Sequence, residues 1–220
     1  KYNLSKKNII KLGYSRLDNL TKTKNHQSLS PKKQSSKIIL IAPSWGPNGT
    51  IESGLGKILI HKLLGLGHKV ILRPHPQTLK FAKEKVDDIK NENQQNSLFS
   101  FEESISGKES LITSDIMVSD WSGAALEYAF AFNKPIIFCD VPRKINNPNY
   151  QDIKIEPVKV LLRDKIGVIW DGLSPIEKKL ELCYQKENNF NSLKDKYCFN
   201  NGCSDEVFVK ALENIILPSL

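Results

Sequence analysis

The chain has 220 residues, 40% of them hydrophobic and 25% charged, a balance that excludes disordered, fibrous and disulfide-framework proteins. No apolar run approaches the roughly 20 residues of a membrane-spanning helix. The net charge of +8 sits at one end: residues 1–37 hold ten Lys and Arg against a single acid, Asp18, a local excess of +9 that leaves the remainder nearly neutral.

The chain opens on Lys1 with no apolar leader behind it, which reads as a piece of a longer protein. KNIIKLGYSRLDNL (7–20) reads as a short apolar element and a turn, and LTKTKNHQSLSPKKQSSK (20–37) as a polar linker broken by Pro31. Residues 1–36 are therefore taken as a basic linker and the end of a preceding domain, and residues 37–220 as one domain. The basic stretch is a solvated linker or a contact for an anionic membrane surface. Nucleic acid is disfavoured, because Tyr2 and Tyr14 are its only aromatics for stacking on bases.

From residue 37 strands and helices alternate. KIILIAPSW (37–45) predicts a buried strand running into a Pro/Gly loop, and SGLGKILIHKLLGLG (53–67) a helix closed by Gly65 or Gly67. HKVILRPHP (68–76) predicts a second strand, and TLKFAKEKVDDIK (78–90) an amphipathic helix. A loop is expected over 91–100 and a short helix between Glu102 and Ser114. IMV (116–118) is the next strand, WSGAALEYAFAFN (121–133) a helix and KPIIFCD (134–140) a further strand. Residues 141–170 read as irregular, with helices again over 174–187 and 204–216. The fold class that follows is α/β: a Rossmann-like parallel sheet with helices on both faces. Cys139, Cys183, Cys198 and Cys203 form no CxxC pair and stand at no zinc spacing, which suits reduced thiols in the cytoplasm.

In such sheets ligands bind beyond the carboxyl ends of the strands, and three unusual loops follow strands here. In SDWSG, Asp120 can cap the next helix or hold a sugar hydroxyl, while amides around Ser122 and Gly123 suit an anion. Glu127, further along that helix, could reach a ribose hydroxyl. In RPHP, Arg73 and His75 suit a diphosphate, and His75 can protonate a leaving oxygen. PSWGPNG offers Ser44 and a glycine cradle, with Trp45 to pack on a base, but lacks the Gly-Lys-Ser/Thr ending of a Walker loop. Arg143 and Lys144 follow the fourth strand. Together the loops suggest a nucleotide-diphosphate site that needs no metal cluster and no cofactor.

The combination of APSW, RPHP and SDWSGAALEYAFAFNKPIIFCD resembles the CDP-glycerol glycerophosphotransferase family, makers of teichoic-acid-like polymers, and GYSRLD (13–18) is similar to its Gly-Tyr-Pro-Arg segment with Ser15 in place of Pro. The resemblance runs from about residue 13 to 216. It implies one half of a GT-B fold, the C-terminal donor-binding domain, and transfer of glycerol phosphate or a related polyol phosphate from a CDP-activated donor to a lipid-linked or polymer acceptor. By that resemblance Arg73 and His75 contact the donor diphosphate, Ser119, Asp120 and Ser122 its phosphate or nucleotide, and the base is a His of the N-terminal domain. The piece alone is then expected to bind nucleotide weakly and to lack turnover, on the inner face of the cell membrane. Trp121, Gly123 and Ser44 stand where Tyr, Ser and Thr are commoner. A sugar-nucleotide glycosyltransferase of the same fold, for capsule or lipid-linked saccharide, and a non-catalytic nucleotide-binding domain are the alternative readings.

Overall fold

Short runs of Ile, Leu and Val, buried on both faces, build the sheet in the computed structural model, which describes residues 9–25, 36–104, 107–145 and 147–216. The elements in chain order are α1 (Ser15–Asn25), β1 (Ile38–Ile41), α2 (Leu55–Gly65), β2 (Lys69–Leu72), α3 (Pro76–Phe81), α4 (Lys83–Asn93), β3 (Phe99–Phe101), α5 (Glu109–Thr113), β4 (Ile116–Ser119), α6 (Ala124–Phe132), β5 (Ile136–Cys139), α7 (Val158–Ile166), β6 (Gly167–Trp170), α8 (Ile176–Gln185), α9 (Asn191–Tyr197) and α10 (Ser204–Ile216). The strands form one parallel sheet in the order β3-β2-β1-β4-β5-β6. The chain winds outward from β1 to β3, then returns to place β4 on the other side of β1, so the direction of winding reverses between β1 and β4. Loops leaving these two strands diverge and open a crevice at their carboxyl ends.

Register explains the core. Ile39 faces Val70 and Ile116, and Ile41 faces Leu72 and Val118, so one sheet face presents these residues with Ile137 and Cys139. Leu59 and Leu63 of α2, Val86 and Ile89 of α4, and Ile176 and Leu180 of α8 complete that layer. The alternate positions Leu40, Met117, Ile136 and Phe138 are buried as well, as a parallel sheet covered on both sides requires.

Two compact units share the chain: residues 36–190, which hold the sheet, and residues 9–25 with 191–216. In the second unit the Asp18 carboxylate accepts hydrogen bonds from Gly202 N (2.7 Å) and Ser204 N (2.9 Å), satisfying amides at the start of α10. Hydrogen bonding to the charged form holds the Asp18 carboxyl below its usual range, although burial opposes it.

Several sequence expectations need correction. The polar segment that begins at Leu20 stays helical to Asn25, with buried Leu17 and Leu20 as its anchors; Thr21 and Thr23 bond back to Leu17 O and Asn19 O, so their hydroxyls do not compete with the helix. The rest of that expected linker, 26–35, lies outside the described residues. The single helix expected over 78–90 is two, α3 and α4, broken where Ala82 leaves the helical region at φ −131°. The loop expected over 91–100 contains the last turn of α4 and the start of β3, a three-residue strand too short to show a period. The segment 141–170 is not irregular throughout: it contains α7 and β6, which follow each other with no loop between them.

Candidate functional site

Asp120 organises the crevice. It leaves β4 almost completely buried, at 1% exposure, and turns both oxygens toward the loop after β1. Oδ1 accepts Ser44 N (2.7 Å) and its neighbour Trp121 N (2.6 Å), and Oδ2 accepts Thr50 N (3.2 Å) and Thr50 Oγ1 (2.9 Å). Beside it the buried Ser119 hydroxyl donates to Ala42 O (2.8 Å). These two residues therefore stand behind the crevice and shape it. The helix-cap reading of Asp120 does not hold: α6 has no side-chain cap on its Gly123 N-cap position, because the Asp120 oxygens are taken by the β1 loop. Ser122 Oγ instead accepts Ala124 N (3.3 Å). The N–H groups of Ser122 and Gly123 make no hydrogen bond among the described residues.

The loop held by Asp120 turns back at Gly46, where φ of +148° favours glycine, and Gly49 N bonds to Gly46 O (2.8 Å). Glu52 ties this turn to α3: its Oε1 accepts Thr78 Oγ1 (2.7 Å) and Gly46 N (3.4 Å), while its Oε2 is buried with no hydrogen-bond partner. Trp45 stacks on Phe81 with centroids 6.1 Å apart and lies 6.2 Å from the His75 ring. Lys144, from the loop after β5, sits 3.5 Å over the Trp45 ring and donates to Trp45 O (3.0 Å).

A cavity of about 300 Å³ opens among these groups, lined by residues 44–49, Trp121 and residues 141–145, a volume at the small end of ligand pockets. A second cavity of about 270 Å³ shares Arg143, Lys144 and Ile145 with it and adds Tyr150, Ile153, Ile155 and Lys159 among its walls. Arg143 pairs with Glu156 (3.0 Å), and Lys159 donates to Trp121 O (3.1 Å). The crevice thus joins aromatic walls to a cationic rim.

RPHP splits. His75 caps α3 through Nδ1, which accepts Gln77 N (3.1 Å); in the neutral ring this leaves the hydrogen on Nε2. Burial, then the charge of Lys144, pushes the His75 pKa below its ordinary value, with Glu52 and Asp120 opposing. At neutral pH His75 is a hydrogen-bond donor, and it becomes a proton donor only where a neighbouring anion raises its pKa. Arg73 is buried and donates to Gly107 O (3.2 Å) and Ser110 Oγ (3.1 Å), near the start of α5. Neither Arg73 nor Glu127, in the first turn of α6, lines either cavity. The structure therefore brings together Ser44, Trp45 and Trp121, with His75 against Trp45, while Arg73 and Glu127 line neither of these two cavities.

Thr50, Glu52 and Arg163 escaped the sequence reading. Arg163 lies in α7 with its guanidinium carbon 4.0 Å from the Trp121 ring centroid, and no local motif announces it. Lys144 carried a signal, as one of two cations following a predicted strand.

A parallel sheet with a crevice at the reversal of winding, aromatic inside and cationic at its rim, defines a Rossmann-like domain. Residues 1–153 match the family described as CDP-Glycerol:Poly(glycerophosphate) glycerophosphotransferase, and the chain belongs to that family. Among solved structures it is similar to the wall teichoic acid polymerase TagF: one structure aligns at TM-score 0.53 and 19% identity over 93% of this chain and 53% of that one. A second, soaked with CDPG, aligns at 0.51 and 19% over 94% and 53%. The UDP-GlcNAc 2-epimerase of Methanocaldococcus jannaschii, in complex with UDP-GlcNAc and UDP, aligns at 0.52 and 16% over 91% and 53%. These likenesses show the fold, one half of the GT-B architecture, and the chain spans about half the length of each structure. No curated protein matches the sequence significantly. Among the described residues no helix is long and apolar enough to cross a membrane.

Proposed function

We propose that the sheet unit, residues 36–190, is the nucleotide-donor-binding part of a transferase that moves glycerol phosphate from CDP-glycerol to a hydroxyl of a cell-surface polymer or glycan. The observation that carries this reading is the crevice in which three strand-end loops meet, inside a chain of the glycerophosphotransferase family. In the reaction the acceptor oxygen attacks the phosphorus bearing glycerol, a new P–O bond forms, the bond to the cytidylyl phosphate breaks, and CMP leaves. The acceptor proton passes to a base, and charge gathers on the CMP oxygen. Lys144 and Arg143 supply positive charge at the rim, His75 offers its Nε2–H, and the open amides of Ser122 and Gly123 add neutral donors, all of which stabilise that charge. The +9 excess of residues 1–37 supports a peripheral seat on an anionic membrane face, near a lipid-linked acceptor.

Calorimetric titration of the chain with CDP-glycerol, CDP, UDP and GDP tests the donor. CDP-glycerol and CDP are expected to bind more tightly than UDP or GDP, and Lys144→Ala to weaken them about tenfold. A preference for UDP or GDP moves the assignment to a sugar-nucleotide glycosyltransferase, and no binding of any of the four overturns it.

A further inference from the structure

We propose that Trp121 is the platform on which the ligand's nucleobase stacks, and that Arg163 is the positioning residue that holds the indole from behind. The inference rests on the nucleotide-binding reading above and assigns part of the same crevice.

Trp121 is fixed at three points besides its packing. Its Nε1 donates to Val141 O (2.9 Å), its backbone N–H to Asp120 Oδ1 (2.6 Å), and its carbonyl accepts Lys159 Nζ (3.1 Å). An indole held this way cannot swing, so a base meeting it loses little entropy to ordering the protein. Arg163 covers one face of the ring, its guanidinium carbon 4.0 Å from the centroid. Arg163 as a whole is only 5% exposed. Nη2 donates to Cys139 O (2.7 Å), Nη1 lies 3.6 Å from the Asp140 carboxylate, and Nε has no hydrogen-bond partner. A buried nitrogen without an acceptor is costly, and the guanidinium packs instead on the rings of Trp121 and Phe138, 4.0 and 5.4 Å from its carbon. Arg163 and the hydrophobic core take part of the ring, and the remainder of the indole lines the cavity.

Trp45 is the other indole at the crevice, and it is already occupied: Lys144 stands 3.5 Å over its ring and Phe81 stacks on it. Trp121 is the other aromatic wall of that cavity, which residues 46–49, Arg143 and Lys144 also line. A flat π-system placed next to cations fits a base followed by phosphates. A cation behind the indole also draws electron density from the open face, which favours stacking with a neutral base.

Stacking serves every base, so the platform separates nucleotides from bare diphosphate and leaves base identity to other groups. Calorimetry of Trp121→Leu and Trp121→Phe with CDP, UDP and inorganic pyrophosphate tests it. Leu keeps bulk without a π-face and is expected to weaken CDP and UDP about tenfold while pyrophosphate binds as in the wild type; Phe is expected to retain most of the affinity. Arg163→Met is expected to weaken CDP without changing pyrophosphate. Wild-type binding of CDP with equally tight binding by Trp121→Leu overturns the platform alone, as does equal loss of CDP and pyrophosphate. A wild-type chain that binds pyrophosphate but no nucleotide overturns both the platform and the reading beneath it.

Discussion

His75 shows how a single side chain can have its chemistry set by its neighbours. The Gln77 amide takes its Nδ1 lone pair, while burial and Lys144 make the imidazolium less favourable. The folded value lies below the ordinary 6.5, so between the two values the unfolded chain binds a proton that the folded chain refuses. Stability therefore falls as pH drops from 6.5 toward the folded value, and His75→Gln is expected to flatten that slope in urea unfolding followed against pH. His68, also lowered by burial, adds to the same window, so the variant is read against the wild type. Bound diphosphate should raise the His75 value, because an anion favours the imidazolium. An NMR titration with and without CDP reads this directly, and a ligand-free value at or above 6.5 would refute the account. Sequence made the chemical type of this residue legible, since a His between two prolines after a strand stands out. It did not show that Arg73, two residues earlier, turns away to Ser110, because that choice depends on a helix more than 30 residues downstream.

At the scale of elements, the tie from β4 to the loop after β1 is what makes a site of the sheet edge. Asp120→Ala removes the acceptor for Ser44 N, Thr50 N and Thr50 Oγ1 together and leaves buried donors unpaired. The expected cost is about 2–4 kcal/mol, measured as a lowered urea midpoint, with loss of nucleotide binding because residues 44–49 are no longer held open. A variant that keeps wild-type stability would show that the loop holds itself. The strands β1, β2, β4 and β5 were legible because each is a continuous apolar run ended by a Pro, Gly or polar loop. β3 was not, since three residues at a sheet edge carry too little pattern. β6 was hidden because it begins at the residue after α7, with Gly167 pressed so closely on Phe138 that a Cβ there would lie 2.6 Å from its ring.

For the molecule as a whole, charge and chain order matter most. Residues 1–37 carry +9 of charge and the remainder of the chain −1, so association with vesicles rich in anionic lipid is expected at low salt, weakening as ionic strength rises. Co-sedimentation that is indifferent to lipid charge would refute the peripheral-membrane reading, whereas loss on changing Lys6, Lys7, Lys22 and Lys24 to Gln supports it. The alternation of strand and helix announced the parallel sheet, but not that residues 191–216 would join residues 9–25 in a unit of their own, since the contacts concerned are about 190 positions apart. The Asp120 carboxylate also has a consequence in time. Its partners Ser44 and Thr50 lie 76 and 70 residues back along the chain, with β2, β3 and four helices between them. Bringing such distant segments together carries a large closure entropy, and the tie can be made only once β4 has docked against β1. The crevice therefore exists only once that long-range pairing is made, and a ligand that binds the assembled crevice alone is expected to slow unfolding rather than to speed folding.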